Sequence, residues 1–188
     1  MADEEQCAPG VCESSDLILS FVNTRPLTDK HPDLLGDQAG LTEWLTTARL
    51  ADPAVVATNA DAVAARELRD AFVTMLRSHV GCEDGPAAEA EAYLWRTAER
   101  YPLTPRIDAD GCTLVPSQSG VPGAFGSLFA AVADIAARGA WSRLKTCKNP
   151  TCYSGFFDKT RNSSGLYCGS VCGSRMSMRA YRSRLKES

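Results

Sequence analysis

The chain has 188 residues, 44% hydrophobic and 23% charged, with eight cysteines and a formal net charge of −3. That composition fits one compact domain, or one domain with a small appendage, and excludes collagen-like, low-complexity and disordered chains. No apolar run reads as long enough to span a bilayer, which takes roughly 18–20 residues, and the acidic opening MADEEQCAPG lacks the apolar core of a secretory signal. A cytoplasmic protein is therefore expected, in which eight cysteines point to metal rather than to disulfides.

Residues 1–13 read as a flexible acidic tail. SDLILSFVNTR (15–25) reads as a short helix, and 26–40, with Pro26, Pro32, Gly36 and Gly40, as a loop. In LTEWLTTARL, Leu41, Trp44, Leu45 and Ala48 share a helical face, with Thr42 a candidate cap. Residues 59–81 give the clearest helix, capped by Asn59 or Asp61, striped by Val63, Leu68, Phe72, Met75 and Leu76, and ended by Gly81. Gly85-Pro86 opens another helix running to about Tyr101. RIDADGCTLVP (106–116) reads as two short strands around an Asp-Gly turn. AFGSLFAAVADIAARGAWSRL after Pro122 is a helix with Phe125, Leu128, Phe129, Val132 and Ile135 on one face. The expected architecture is mainly α: a helical domain over 14–142 with one small β-hairpin, then a C-terminal unit over 143–188.

Charge separates these two parts. Residues 1–142 hold 10 Lys+Arg and 21 Asp+Glu, whereas 143–188 hold 10 and 2, a net of +8. The last quarter reads as the part that meets a polyanion.

That quarter also holds Cys147, Cys152, Cys168 and Cys172, spaced C-x4-C, fifteen residues, C-x3-C. Two close pairs joined by a short loop suit a tetrahedral four-thiolate zinc site; two disulfides or four unrelated thiols are the alternative. About 40 residues with so few large apolar side chains usually need such a staple. With four thiolates and no position left for substrate, the zinc is expected to be structural. Cys7 and Cys12 repeat C-x4-C and, with Cys82 and Cys112, read either as a second site or as ordinary thiols. His31 and His79 are remote from the four cysteines in sequence.

GSRMSMRAYRSRLKES after Cys172 has no helix breaker. Arg175, Arg179, Arg182 and Lys186 fall on one helical face; Met178, Tyr181 and Leu185 fall on a neighbouring face expected to pack on the rest of the chain. Clustered like charges repel unless something neutralises them. DNA phosphate, an acidic protein surface and plain water are the three readings, and a zinc-anchored helix suits the major groove. Lys159, Arg161 and Asn162 in the preceding loop add candidate backbone contacts.

The cysteine spacing, the FFDKTRN stretch, and Cys172-Gly173 opening a basic helix resemble the CGNR zinc finger. Phe21-Val22-Asn23-Thr24-Arg25, followed by a helix holding Leu41, Trp44 and Leu45, resembles the ABATE-type helical domain that such fingers follow in bacterial stress-responsive transcription regulators. The resemblance implies one structural zinc on the four cysteines, and DNA contacts from Lys159, Arg161, Arg175, Arg179, Arg182 and Lys186. It also implies a ligand pocket touching Asn23 and Arg25; the simpler reading is that Asn23 caps a helix and Arg25 makes a surface pair. Two positions depart from the family pattern: Ser174 replaces Asn in the C-G-N-R signature, and Gly165-Leu166 stand where basic residues are common.

The expected function is a bacterial transcription regulator acting at the nucleoid, with DNA bound by the finger and a ligand or assembly handled by the helical domain. One finger module covers little DNA, so tight specificity calls for a homodimer or a partner such as RNA polymerase or another transcription factor. The alternative is an adaptor that docks on RNA polymerase or other transcription machinery without reading DNA. No catalytic constellation or phosphate-cradling loop is visible, so neither an enzyme nor a membrane partner is expected.

Overall fold

A computed structural model describes residues 11–26, 32–82, 87–109 and 111–187. Helix α1 (Val11–Val22) begins inside the stretch expected as a tail; the rest of that stretch, residues 1–10, lies outside the described residues. Val11, Ser15, Ile18 and Val22 recur at helical spacing and are all buried, so burying this stripe extends the helix upstream of residue 15.

Helix α2 (Gln38–Thr47) is capped by Asp37, whose carboxylate accepts from the backbone of Ala39 and Gly40. Thr42, the expected cap, lies inside the helix and donates its hydroxyl to the Gln38 carbonyl. Helix α3 (Asn59–Ser78) starts from Thr58 and Asp61 in a reciprocal capping box, so Asp61 serves from the third helical position and Asn59 is not the cap. Leu68, Phe72 and Leu76 are buried along it, but Val63 is 45% exposed. Helix α4 covers Ala87–Ala98; the Gly85-Pro86 start lies outside the described residues. Strands β1 (Leu103–Asp108) and β2 (Gly111–Pro116) pair antiparallel from Leu103↔Pro116 to Asp108↔Gly111, a longer hairpin than expected.

Helix α5 (Gly120–Ala137) is long and apolar enough to cross a membrane by length and composition, contrary to the sequence reading. Here it lies in the core, with Phe125, Leu128 and Ile135 at 2% exposure or less. It stops at Ala137 rather than running to Leu144, because Gly139 (φ +68°) turns the chain. The centre is aromatic: Phe21 lies 5.1 Å from Trp44 and 6.2 Å from Phe72 between ring centroids, and Phe72 lies 5.9 Å from Phe129.

Strands β3 (Leu144–Thr146) and β4 (Gly155–Phe157), unforeseen from sequence, form a second antiparallel pair. Every residue of β3 is buried, and Leu144 and Phe157 join the core of the helical body. Helix α6 (Ser170–Glu187) closes the described chain.

Candidate metal centre and basic groove

The β3–β4 pair carries the first two cysteines: Cys147 follows β3 and Cys152 lies in the turn before β4. The backbone N–H of Cys147 donates to the Ser154 carbonyl and that of Cys152 to Asn149, closing the turn around Pro150. Cys168 precedes α6, and Cys172 sits in its first turn. The four Sγ atoms lie within 4.8 Å of one another. Cys152 Sγ is 3.7 Å from Cys168 Sγ, which is 3.9 Å from Cys172 Sγ. A tetrahedron with Zn–S bonds of about 2.3 Å has edges of about 3.8 Å, so the cluster already has the dimensions of a four-thiolate zinc site. Its electrostatics agree. Burial pushes the Cys147 thiol up against hydrogen bonds from Cys168 and Asn149 that lower it, and pushes Cys168 up together with its neighbours Cys152 and Cys147; a bound cation would offset both. Burial also raises Cys152, but hydrogen bonds, chiefly from the Ser154 hydroxyl and amide, outweigh it and bring the thiol to about 7. One structural zinc ion fits, with Cys147, Cys152, Cys168 and Cys172 as donors and no open position.

Asn149, not singled out by sequence, supports the cluster. It is buried, donates its amide to Cys172 Sγ (3.4 Å), and accepts from the Thr151 backbone and hydroxyl. Among the described residues no second cluster of metal-ligating side chains comes together: Cys12, Cys82 and Cys112 form no site, and Cys7 and His31 lie outside the description.

The fifteen-residue loop is held by a buried ion pair that sequence also missed. Lys145 Nζ donates to Asp158 Oδ2 (2.6 Å) and to the carbonyls of Ser163 (2.6 Å) and Gly165 (3.2 Å). Asp158 further accepts from the Thr160 N–H and hydroxyl and from the Gly165 N–H. Burial raises its carboxyl, but Lys145 and these donors prevail and hold it at about 2. Arg143 adds hydrogen bonds to the Asp158 and Thr160 carbonyls.

The finger is fastened to the helical body, chiefly to α1 and α3. Asn23, expected beside a ligand or as a cap, grips Gly155 at both ends of its amide: Nδ2 donates to the Gly155 carbonyl (3.1 Å) and Oδ1 accepts its N–H (2.7 Å). A Cβ on Gly155 would come within 2.6 Å of Val22 Cγ2, so only glycine allows this approach. The Arg77 guanidinium lies 4.5 Å over the Tyr153 ring, His79 Nδ1 is 2.7 Å from the Leu144 carbonyl, and Lys148 Nζ is 3.4 Å from the Val80 carbonyl. Thr24 is buried and receives a hydrogen bond from Arg69, which makes a two-pronged pair with Asp33 at 2.6 and 2.8 Å. Arg25 makes a long surface pair with Asp70 (3.8 Å). The Phe21–Arg25 motif is thus occupied by core packing and internal hydrogen bonds. A groove of about 480 Å³ between α1, β2 and α5, lined by Leu17, Leu114, Ala131 and Asp134 among others, touches neither Asn23 nor Arg25.

Helix α6 stands out from this base. Arg175, Arg179, Arg182 and Lys186 line one groove of about 580 Å³ with Asn149 and Thr151 of the first cysteine turn. Lys159 and Arg161 are exposed on the loop but do not line it. The face expected to pack inward does not: Met178, Tyr181 and Leu185 are 52%, 53% and 60% exposed.

No curated protein matches the chain. A family model described as "Putative stress-induced transcription regulator", ABATE, matches residues 15–141, and the CGNR zinc finger model matches 143–185. The chain therefore belongs to the ABATE family and carries a CGNR zinc finger after its helical domain.

Proposed function

We propose that the protein is a non-enzymatic, cytoplasmic transcription regulator that binds the DNA backbone along the basic face of α6. The observation that carries this reading is the single groove holding Arg175, Arg179, Arg182 and Lys186, on a helix whose first turn supplies a cysteine of the zinc cluster. Four cations fixed along one face at one-turn intervals match a row of phosphates, and neutralising phosphate releases its counterions. Lys159 and Arg161 extend the contact from the loop, and the helical body serves ligand sensing or assembly. Base readout is the weaker part, because Ser174 stands where the family has Asn.

The test is anisotropy of a labelled duplex with zinc-loaded full-length protein across a salt series. The four α6 cations give log K a slope of about −3.6 against log salt, at about −0.9 each, steepening toward about −5.4 where Lys159 and Arg161 also engage; a flat dependence refutes the reading. An adaptor docking on transcription machinery is the second reading, favoured by the exposed Met178, Tyr181 and Leu185. Retention of RNA polymerase after nuclease treatment, with no salt-dependent DNA binding, would establish it instead.

A further inference from the structure

Among the described residues, two helix faces carry large apolar groups that stand exposed. On α6, Val171, Met178, Tyr181 and Leu185 recur at spacings of seven, three and four residues and are 52–70% exposed. On α4, Ala90 and Thr97 are buried against the body, while Trp95 on the opposite side is 73% exposed. Tryptophan is enriched at interfaces relative to the rest of a protein's surface.

Charge says what covers each. One helical turn from Trp95 on either side stand Glu91 and Glu99, both exposed, with the small residues Ala88 and Ala92 leaving the ring proud. Beside the α6 stripe stand Arg175 and Arg182, also exposed. Glu91 and Glu99 are eight residues apart, about 12 Å along the axis; Arg175 and Arg182 are seven apart, about 10.5 Å. Pairing α4 with α4 would set glutamates together, and antiparallel α6 stripes would set arginines together. Laying α6 on α4 matches both the apolar groups and the charges.

We propose that the chain self-associates by seating the apolar stripe of α6 on the Trp95 face of α4 of a second copy. Trp95 fills the stripe beside Met178 and Tyr181, and Glu91 and Glu99 meet Arg175 and Arg182, so self-association and the DNA binding proposed above compete for these two arginines. Where the two contacts are reciprocal they make an isologous two-fold dimer; where only one forms between any two copies the contact is heterologous and builds a ring or open chains.

Sedimentation velocity of zinc-loaded, nuclease-treated full-length protein, from micromolar to hundreds of micromolar, tests this without nucleic acid, so its failure is distinct from failure of DNA binding. The wild type should self-associate. Trp95→Ala should weaken association by roughly tenfold or more. Glu91→Arg with Glu99→Arg, and Arg175→Glu with Arg182→Glu, should each do the same, and the four changes together should restore it. All these positions are exposed, and unchanged zinc content and helix content establish that each variant folds. A wild type that stays monomeric overturns the proposal. So does association indifferent to Trp95→Ala, or a fourfold variant that fails to recover, either of which would assign the faces to a different protein.

Discussion

Replacing Lys145 by Met tests how the finger is held together, because methionine keeps the length of the side chain and removes only its charge and its three donors. In the wild type all three ammonium hydrogens have acceptors: Asp158, Ser163 and Gly165. Both partners of the ion pair are almost completely buried, at 3% and 1% side-chain exposure. The net of burial, Lys145 and the Thr160 and Gly165 donors can be read from Asp158. Its carboxyl is held at about 2, against an ordinary value of 3.8, which is worth about 2 kcal/mol at neutral pH. A depressed carboxyl contributes in full above pH 4 and loses its contribution as pH falls from about 4 to 2, so at pH 7 it is all present. The substitution costs more than this, because it strands a buried carboxylate and two carbonyls; one-sided loss of a buried pair costs about 3–5 kcal/mol. Three donors from Thr160 and Gly165 remain on Asp158, which places the expectation near about 3 kcal/mol. Urea unfolding at pH 7 with zinc in slight excess measures it, and chelator competition reads the zinc affinity of the same samples. A loss below about 1 kcal/mol with unchanged zinc affinity would refute the claim that this pair organises the loop.

Removing zinc with a chelator should melt α6 and the cysteine turns while α1–α5 stay helical, read as partial loss of far-UV dichroism and full loss of amide protection beyond Cys147. Gly155→Ala should cost about 2–4 kcal/mol, from overpacking against Val22 and strain on the two Asn23 hydrogen bonds; denaturant melts check this, and Asn23→Ala should cost less because it adds no clash. Burial holds His79 below its ordinary 6.5, outweighing the Leu144 carbonyl that favours its charged form. Stability should therefore fall as pH drops below about 6.5, and His79→Gln should flatten that slope in melts across pH 5.5–7.5.

The helices were legible because their apolar stripes are local. Leu41, Trp44 and Leu45, or Leu68, Phe72 and Leu76, can be read at helical spacing and are buried. The zinc cluster was legible because four thiolates at that spacing have one common use. Pairing across distance was not legible. Nothing near Gly155 announces that Asn23, 132 residues away, will grip its backbone, nor does Lys145 look different from its neighbours until its carbonyl partners are known. Strands of three residues such as β3 and β4 are too short for any periodicity to show, and they form because tertiary burial of Leu144 and Phe157 overrides weak local preference. The α6 stripe misled for the opposite reason: an amphipathic face says that something covers it, not that the same chain does.

The same geometry revises what the basic tail means. Counted from sequence, residues 143–188 bring ten cations to a polyanion. In the structure Arg143 and Lys145 are turned inward onto Asp158 and loop carbonyls, and Lys148 reaches the end of α3. All three build the finger or fasten it; Lys145 is buried and Arg143 half-buried, so these two stand back from the surface, whereas Lys148 stays exposed. The groove residues Arg175, Arg179, Arg182 and Lys186 stand on a helix that begins inside the zinc cluster, and the cluster stands on a strand pair anchored to α1 and α3. A change in the helical body that disturbs α1 or the end of α3 therefore has a short route to the basic helix: through Asn23 to Gly155, or through His79 to Leu144, and from there through the cysteine turn. That route runs through backbone hydrogen bonds and a rigid metal site rather than a flexible linker, so the body and the basic helix should reorient together or not at all.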